Sequence, residues 1–314
     1  MPKGLAQSTL CLTGYSGYFG SHVLGALLHA GIRPFLIGRP SARPAKVEGA
    51  VMAERWTSPA ELAEQVARLK NPIVINIAGL IASDHRPEDI PRLVSANFEY
   101  PVQILETVAL AGNASVINIG TTREFSGASD PNPVNLYGQL KAANAATLAW
   151  YAGKHRFRAI NLKVTDSYRG LDDRAALVPY LRRCARTGVR AELRFSAQRL
   201  NLAHMIDVVE GILASAASCA EIEPGQARTQ VLLGPETTTI GALIDILQKD
   251  VVPGFEASFA DNRRDVSGLA DIWEDAPGIP GWQPRVALLD GLGMFFRDAS
   301  GCGNSASASG HLQQ

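Results

Sequence analysis

The chain has 314 residues, of which 46% are hydrophobic and 19% are charged. This composition is typical of a globular protein with one or two packed cores, and it excludes a disordered or collagen-like chain. The 30 Lys and Arg residues balance the 30 Asp and Glu residues, so the net charge is zero and no global field attracts nucleic acid or an anionic membrane.

The four cysteines form no CxxC pair and have no metal-like spacing with histidine, which predicts neither a disulfide framework nor a metal site. No uninterrupted apolar run reaches the roughly 18 residues of a membrane span. The N-terminal stretch is interpreted as a strand that leads into a glycine-rich turn, not as a signal peptide. Together these features predict a cytoplasmic protein with no metal, nucleic-acid or membrane partner.

The N-terminal half alternates short, nearly continuous apolar runs with helical segments, a pattern that predicts an α/β fold. Apolar runs of this kind are typical of strands buried on both faces, so we expect a Rossmann-like doubly wound parallel sheet. The predicted strands span Thr9 to Thr13, Arg33 to Ile37, Ile73 to Ile77, Val116 to Ile119 and Ala159 to Val164. The predicted helices span His22 to Ala30, Pro59 to Leu69, Leu93 to Ala111 and Tyr137 to His155.

After Val164 the composition changes to segments that contain Asp, Arg and Pro. This change predicts a smaller C-terminal substrate-binding lobe, with some segments returning to the main sheet. We expect the Rossmann domain at residues 1–165, this lobe at 166–299 and a mobile Ser-, Gly- and Ala-rich tail at 300–314. Its predicted elements are helices at Ala175 to Thr187, Asp207 to Ala217 and Ile240 to Lys249 and a strand at Gln230 to Leu233. Four arginines are expected to form the solvated face of its first helix: Arg182, Arg183, Arg186 and Arg190.

A glycine-rich turn connects the first strand to the first helix. Its glycine spacing allows a tight turn and a close approach of the backbone to a pyrophosphate, while the helix N-terminus offers unpaired N–H groups to the anion. Because it follows a predicted strand and opens a predicted helix, the turn is interpreted as a dinucleotide fingerprint. The candidate cofactor-binding residues here are Gly14, Tyr15, Ser16, Gly17, Tyr18, Phe19 and Gly20.

Arg39 lies about 20 residues beyond this turn, where an NAD-preferring site usually has Asp or Glu to bind the ribose diol. A guanidinium binds a 2′-phosphate through bidentate charged hydrogen bonds and has no comparable match to a free diol. The sequence therefore predicts NADPH as the cofactor in preference to NADH.

Tyr137 and Lys141 lie four residues apart on a predicted helix and therefore on the same face. A phenol has a pKa near 10, so it needs a nearby positive charge to exchange a proton at neutral pH, and Lys141 supplies that charge. Upstream, Thr121 and Thr122 follow a strand at the carboxyl edge of the sheet, where ligands of such folds bind. One of these two hydroxyls is expected to hydrogen-bond the substrate oxygen beside Tyr137.

These motifs resemble the extended short-chain dehydrogenase/reductases, the NAD-dependent epimerase/dehydratase-like family that acts on nucleotide sugars. The resemblance runs from about Thr9 to Asp298. The segment Asn132 to Tyr137 is most similar to the corresponding segment of reductases that act on CDP- or dTDP-linked 4-keto-deoxysugars. These are enzymes of the CDP-abequose and CDP-paratose synthase type. Further matching segments are Val74 to Gly79, Asn97, Asp166 to Tyr168, Leu202 to Val208 and Gly281 to Pro284.

The resemblance implies that Tyr137 donates a proton and that Lys141 tunes its pKa and binds the nicotinamide ribose. It implies that Thr122, or Thr121 if the strand end is shifted by one residue, orients the substrate carbonyl. Asn97 is expected to hold the central helix and a proton-relay water. A helix Asn that binds a neighbouring backbone group is the alternative for that residue.

The resemblance also implies a homodimer, formed through the helices that carry residues 97 and 137. The remaining residues expected to contact the cofactor are Ala78 and Gly79. The residues expected to reach the nucleotide-sugar substrate are Asp84, Asp166, Tyr168 and Arg174.

Dehydratases of this family usually follow the catalytic Thr with Asp and Glu; if Thr122 is the catalytic residue, it is followed here by Arg123 and Glu124. The elimination machinery is thus incomplete, and Arg39 disfavours the tightly held NAD of the epimerases. The expected reaction is NADPH-dependent reduction of the C4 keto group of a nucleoside-diphosphate-linked 4-keto-deoxyhexose. The alternatives are an epimerase or dehydratase of the same family, a reductase of a lipophilic ketone and a non-catalytic NADPH-binding regulator.

Overall fold

The computed structural model describes residues 5–41, 46–82, 84–125, 132–170, 172, 174, 176–261, 272–273 and 275–297, so the predicted tail at 300–314 lies outside the described residues. The strands are β1 (Leu10–Thr13), β2 (Phe35–Ile37), β3 (Val51–Met52), β4 (Ile73–Asn76), β5 (Ser115–Thr121), β6 (Ala159–Val164), β7 (Asp166–Tyr168), β8 (Ala191–Phe195), β9 (Arg199–His204), β10 (Ala227–Leu232), β11 (Thr237–Thr239) and β12 (Ala257–Asp261). The α-helices are α1 (Tyr18–His29), α2 (Pro59–Ala67), α3 (Ile90–Val94), α4 (Tyr100–Ala111), α5 (Leu136–His155), α6 (Leu177–Thr187), α7 (Met205–Ser218), α8 (Ile240–Ile246) and α9 (Leu288–Arg297).

Seven strands form one parallel sheet in the order β10-β6-β5-β4-β1-β2-β3. The predicted Rossmann-like α/β fold is therefore confirmed. The chain winds outward from β1 in one direction through β2 and β3, and in the other through β4, β5 and β6. Ligands of open α/β sheets bind outside the carboxyl ends of the strands at such a switch point, which here lies between β1 and β4.

Alternate side chains of β1 show how the two faces of the sheet are covered. Leu10 and Leu12 belong to a buried cluster with side chains of α1 and α7, whereas Cys11 belongs to a second cluster with side chains of α2, α4 and α5. All three residues are fully or almost fully buried. The near-continuous apolar runs in the sequence reflect this burial of the central strands on both faces.

The sequence located the long helices and central strands but missed several short elements. Helix α1 begins at Tyr18, four residues before the predicted start, because the aromatic residues at the end of the glycine turn are already helical. The strands β3, β7, β8, β9, β11 and β12 are 2–6 residues long. Runs this short carry too little periodicity to be recognised.

A ladder of polar side chains crosses four neighbouring strands of the sheet, from the last residue of β1 to the middle of β6. The Thr13 hydroxyl donates to Asn76 Oδ1 (2.7 Å), Asn76 Nδ2 donates to Asn118 Oδ1 (3.0 Å), and Asn118 Nδ2 donates to Asn161 Oδ1 (3.2 Å). All four residues are buried and lie directly opposite one another in the sheet register. Because each group finds a partner, the ladder fixes the alignment of these strands without the desolvation cost of unpaired polar atoms.

The second lobe packs around its own apolar cluster, formed by side chains of α6, α8, α9 and the strands β7, β8 and β9. Its two small sheets have the orders β11-β9-β7 and β12-β8. Tyr168 of β7 is 1% exposed, and its ring makes edge contacts with His204 and Phe295. This strand leaves the main sheet directly after β6 and so connects the lobe to the cavity edge.

Arg182 corrects the expectation that the arginines of α6 form a solvated face. Its side chain is buried, donates hydrogen bonds to the carbonyls of Gly170 and Phe295, and stacks 4.1 Å from the Phe295 ring centroid. The carbonyls and the ring compensate the desolvation of the guanidinium. The other three arginines of the group, Arg183, Arg186 and Arg190, are exposed as expected.

None of the helices in the described part of the chain is long and apolar enough to cross a membrane.

Candidate active site

A cavity of about 1130 Å³ opens outside the carboxyl ends of the central strands, at the switch point of the sheet. Small-molecule sites usually measure about 300–1,000 Å³, so this cavity has room for a large ligand or for two ligands side by side. Its wall includes Gly14 to Gly20, Ile37 to Pro40, Ala53, Glu54, Trp56, Ile77 to Ile81, Ile119 to Thr121, Arg123, Tyr137, Lys141, Val164 to Ser167 and Arg174.

The glycine turn and the start of α1 form an anion-binding end of this cavity. Within the described residues, no side chain caps the first N–H groups of α1, and its first turn holds no acidic residue. Gly14 has a φ of 63°, and a Cβ there would lie 2.7 Å from the backbone nitrogen of Ala78. A Cβ on Gly20 would overlap the carbonyl of Gly14. The uncapped N–H groups and the helix dipole fit the diphosphate of a dinucleotide.

Arg39 lies just beyond β2 and is an exposed part of the cavity wall. The carbonyl of Gly38 before it accepts hydrogen bonds from Trp56 Nε1 (3.2 Å) and from the Tyr100 hydroxyl (3.3 Å). Both aromatic residues are buried, so they hold the backbone at the base of the arginine while its guanidinium stays accessible. Ala53 and Glu54 complete this part of the cavity wall.

Helix α5 brings Tyr137 and Lys141 to the cavity wall on successive turns of one face. Its N-cap residue Asn135 accepts a hydrogen bond from the Gly138 N–H at 2.8 Å, which satisfies one of the free donors at the helix start. The Lys141 ammonium donates to the carbonyl of Ile119 at 2.9 Å and so bridges α5 to β5. Both side chains are buried and therefore held in defined positions.

Burial shifts the pKa values of both members of this pair. Burial raises the pKa of Tyr137, and the carboxylate of Glu124 raises it further, while Arg123 and the Thr121 hydroxyl oppose the shift. Burial lowers the pKa of Lys141 to about 8, with Glu124 acting against that change. Lys141 is not among the groups that shift this pKa, so the tuning of the phenol by its ammonium stays a prediction. The phenol is protonated at neutral pH and can donate a proton.

Thr121 and Thr122 have different environments. Thr121 is the last residue of β5, lines the cavity, and lies close enough to the Tyr137 phenol to lower its pKa. Thr122 starts the following short 3₁₀ turn and is half-buried behind the cavity wall. Of the two residues left open by the sequence, the structure brings Thr121 to Tyr137.

Two ion pairs occupy the positions after these threonines. Arg123 binds Asp166 through an Nη2–Oδ2 contact of 2.9 Å, and both residues line the cavity. Glu124 forms an ion pair with Lys163 in which both side chains are almost completely buried, outside the cavity wall. After Thr121, the two positions where a dehydratase of the resembled family carries its acid and its base hold Thr122 and Arg123, and neither is a carboxylic acid.

Asn97 is completely buried in a π-helical segment, Ser95–Glu99, and acts on the backbone of a neighbouring loop. Its Oδ1 accepts from the Leu80 N–H (3.1 Å), and its Nδ2 donates to the carbonyls of Leu80 (2.9 Å) and Leu93 (3.1 Å). These are the contacts expected from the alternative interpretation of Asn97, in which a helix Asn binds a neighbouring backbone group. By fixing Leu80 it also supports Ala78 and Gly79, which line the cavity.

Arg174 connects the second lobe to the glycine turn. Its guanidinium makes two hydrogen bonds of 2.8 Å to the buried carboxylate of Asp172, and a further one of 2.5 Å to the carbonyl of Ser167. The same group lies 3.7 Å from the centroid of the Tyr18 ring. Arg174 thus reaches the cavity wall as part of an ion pair that covers the aromatic side chain at the start of α1.

Two of the predicted substrate-binding residues are not brought to the cavity. Tyr168 lies in the core of the second lobe, because its ring gains more from apolar burial there than the edge of the sheet offers. Asp84 is exposed in the loop after β4 and is not part of the cavity wall. Asp166 and Arg174 do line the cavity.

Sequence reasoning missed several residues that shape the site. The support that Trp56 and Tyr100 give to Gly38 has no local signal, since the three residues come from separate segments. The Glu124–Lys163 pair had a signal, the charged residue Lys163 inside a buried central strand. In the described part of the chain no cluster of three or more His, Cys, Asp or Glu side chains could hold a metal ion.

The fold, the glycine turn and the Tyr-Lys pair define a dinucleotide-binding α/β protein of the short-chain dehydrogenase/reductase class. The chain matches the profile of the NAD dependent epimerase/dehydratase family over residues 10–231. This match covers more than half of the sequence, and the protein therefore belongs to that family.

Individual relatives agree with this assignment. The chain is 29% identical over 205 residues to CDP-abequose synthase from Yersinia pseudotuberculosis, which covers 65% of this chain and 71% of the relative. The solved structure of UDP-glucuronic acid 4-epimerase from Bacillus cereus, in complex with UDP-glucuronic acid and NAD, superposes with a TM-score of 0.74 at 17% identity, covering 93% of this chain and 99% of that chain. UDP-glucose 4-epimerase from Thermotoga maritima superposes with a TM-score of 0.70 at 18% identity. This superposition covers 93% of this chain and 98% of that chain. At these identities the structural likeness establishes the fold.

Proposed function

We propose that the protein is an NADPH-dependent reductase of the C4 keto group of a nucleoside-diphosphate-linked 4-keto-deoxyhexose, acting in the cytoplasm in deoxysugar biosynthesis. The resemblance to CDP-abequose synthase supports a nucleotide sugar with a deoxygenated ring as the substrate. In this proposal residues 1–165 bind the cofactor, and the lobe at 166–299 contributes Asp166, Ser167 and Arg174 to the substrate end of the cavity.

The observation that carries the proposal is the placement of the charged groups after Thr121. Elimination of water requires an acid and a base at the substrate, but residue 123 is an arginine paired with Asp166. The carboxylate of Glu124 is 1% exposed and engaged with Lys163. Neither can serve as the acid or the base of a dehydratase in this arrangement. Carbonyl reduction requires only a proton donor and an oxyanion-binding group, and Tyr137 and Thr121 supply both.

The residues at the cavity wall fit a nicotinamide dinucleotide. The uncapped start of α1 would hold its diphosphate, Arg39 its 2′-phosphate, and Lys141 its nicotinamide ribose. A bound reduced nicotinamide supplies a hydride to the carbonyl carbon. The NAD complexes of structurally similar epimerases support this class of cofactor, and Arg39 supports NADPH within it.

The proposed mechanism assigns the proton to Tyr137. The phenol is protonated at neutral pH, so it can donate that proton to the substrate oxygen as negative charge develops there. The Thr121 hydroxyl donates a hydrogen bond to the same oxygen and so stabilises the developing charge. Lys141 is still largely protonated at pH 7, and its ammonium adds a favourable field at the carbonyl.

The test measures consumption of NADPH and of NADH, by absorbance, with CDP- and dTDP-linked 4-keto-6-deoxyglucose and with the Tyr137→Phe variant as control. We expect NADPH-selective turnover that the variant loses, and the rates rank the nucleotides. Tight NADPH binding without turnover would contradict the substrate assignment and favour a lipophilic ketone or a regulator. Interconversion of UDP-sugars without net consumption of cofactor would instead make the protein an epimerase.

A further inference from the structure

Two buried charged residues behind the cavity wall take no direct part in the proposed reaction. Glu124 belongs to the short turn after β5 and Lys163 to the neighbouring strand β6, and their side chains form an ion pair with exposures of 1% and 3%. A buried ion pair costs desolvation energy that its own attraction barely repays. Its presence next to the cavity therefore calls for a role beyond stability.

The pair is built into the end of β5, the strand that carries Thr121. Glu124 Oε1 accepts a hydrogen bond from the Thr121 N–H at 2.9 Å, while its other oxygen binds Lys163. A Cβ on Gly120 would lie 2.6 Å from Glu124 Oε1 and 3.0 Å from Lys163 Cδ. Only glycine at position 120 leaves room for both side chains against the strand. The carbonyl of Ile119, one residue earlier, is held by the Lys141 ammonium.

The last three residues of β5 are thus held from both directions, by Lys141 at one end and by Glu124 at the other. We propose that the Glu124–Lys163 pair is a positioning element of the active site, which presents Thr121 to Tyr137 and keeps two opposite charges balanced beside Lys141. The pair does not touch the cavity, so it acts through these three residues. Its charges reach them across a buried region, where Coulomb interactions are screened less than in water.

The charges that face each reactive group are known from the structure. Burial lowers the pKa of Lys141, Glu124 raises it and Lys163 lowers it. For Tyr137, burial, Glu124 and Asp166 raise the pKa, while Arg123 and Thr121 lower it. Removal of one partner of the pair therefore changes the pKa of Lys141 in one direction, and removal of the other changes it in the opposite direction. An ion pair with no electrostatic coupling to Lys141 would leave this pKa unchanged in both variants.

Only the kinetic measurements of this inference depend on the proposed reduction. The first measurement therefore uses neither substrate nor cofactor. The ammonium of Lys141 is titrated by NMR of the lysine-labelled full-length protein, and its resonance is assigned by its loss in Lys141→Met. Compared with the unchanged protein, we expect a pKa about one unit higher in Lys163→Met and about one unit lower in Glu124→Gln. The double variant is expected to lie between the two.

A second pair of variants separates position from charge. Glu124→Asp keeps the charge but is too short to hold both Lys163 and the Thr121 N–H, so we expect kcat to fall by about 100-fold while the basic limb of its pH profile stays in place. Lys163→Arg keeps the ion pair and should retain most of the activity. Gln230→Met serves as the matched control, because Gln230 is a buried polar residue of the neighbouring strand β10 that hydrogen-bonds Ser215. It is expected to lower the unfolding temperature without moving either titration.

Shifts of Lys141 in the same direction in both single variants, or no shift in either, would overturn the proposal. So would a Glu124→Asp protein with unchanged kcat. If Glu124→Gln does not fold, two measurements still test the proposal. The pKa of Lys141 should rise in Lys163→Met and return to its original value in Lys163→Arg. A protein that shows the expected NMR shifts but no reductase activity would refute the proposed function and leave the coupling of the pair to Lys141 standing.

Discussion

The hydroxyl of Thr121 lies beside the phenol of Tyr137 and lowers its pKa, so two hydrogen-bond donors meet at the cavity wall. Loss of one oxyanion-binding donor typically costs about 10²–10³ in kcat. We expect Thr121→Val to lose activity in that range in steady-state kinetics. Thr122→Val is the matched control and should stay within a few-fold of the unchanged protein. Equal losses in the two variants would contradict the assignment of Thr121.

Arg39 should decide between the two nicotinamide cofactors. Because its guanidinium is exposed at the cavity wall, we expect Arg39→Ser to raise the KM for NADPH by about 10- to 100-fold, the usual value of a charge-assisted hydrogen bond to a phosphate. The KM for NADH should change little, since a free diol offers no charge to the arginine. The measurement is the ratio of kcat/KM for the two cofactors. An unchanged ratio would show that the arginine does not contact the 2′-phosphate.

The pKa of Lys141 predicts a pH dependence of both activity and stability. With a pKa of about 8, the ammonium loses its proton as the pH rises through 8, so kcat/KM should fall above that pH. Its pKa in the unfolded chain is 10.5, so the unfolded state binds more protons between about pH 8 and 10.5 and the contribution of this group to stability rises with pH there. Below pH 8 Lys141 is charged in both states, so burying its charge lowers the free energy of unfolding by an amount that does not change with pH.

The Lys141→Met variant avoids the free-energy cost of burying a charged ammonium in the folded state. We therefore expect the variant to be inactive yet to unfold at a higher temperature than the unchanged protein at pH 7, as measured by calorimetry. Lys154→Met, on the exposed end of the same helix, is the control and should change neither property by much. A lower unfolding temperature for Lys141→Met would show that its hydrogen bond to Ile119 outweighs the cost of burying the charge.

Asp207 is expected to contribute to stability and not to the reaction. It is completely buried in the first turn of α7, and its carboxylate accepts hydrogen bonds from the N–H groups of Arg285 (3.1 Å) and Val286 (3.0 Å). Asp207→Ala leaves two donors without this acceptor, and we expect a loss of about 2–4 kcal/mol in the free energy of unfolding by denaturant titration. Glu210→Ala removes an exposed ion pair with Arg285 and should cost less than about 1 kcal/mol.

The homodimer implied by the resemblance stays a prediction. Trp150 on α5 is 55% exposed and Leu110 on α4 is 54% exposed, so both helices present large apolar side chains outside the core. We expect a dimer in sedimentation velocity, which Trp150→Glu should convert to a monomer because a charge would be buried in the interface. Val189→Glu, at a similarly exposed residue after α6, should leave the dimer intact. A monomeric unchanged protein would refute the prediction.

The sequence predicted the features that depend on local pattern. The apolar runs of the central strands, the glycine turn before α1 and the four-residue spacing of Tyr137 and Lys141 are each contained in a short segment. Burial on both sheet faces, the steric demands of the turn and the helical repeat act directly on these segments. The fold class and the general position of the cavity follow from them.

The tertiary structure decided what depends on contacts between distant segments. Tyr168 was expected at the substrate but packs in the second lobe, and Arg182 was expected in solvent but is buried, because each finds its partners on α9. The choice between Thr121 and Thr122 depends on where β5 ends against α5. The direction of the Tyr137 pKa shift depends on how deeply the phenol is buried. Burial and the surrounding charges are sums over neighbours that the order of residues along the chain does not reveal.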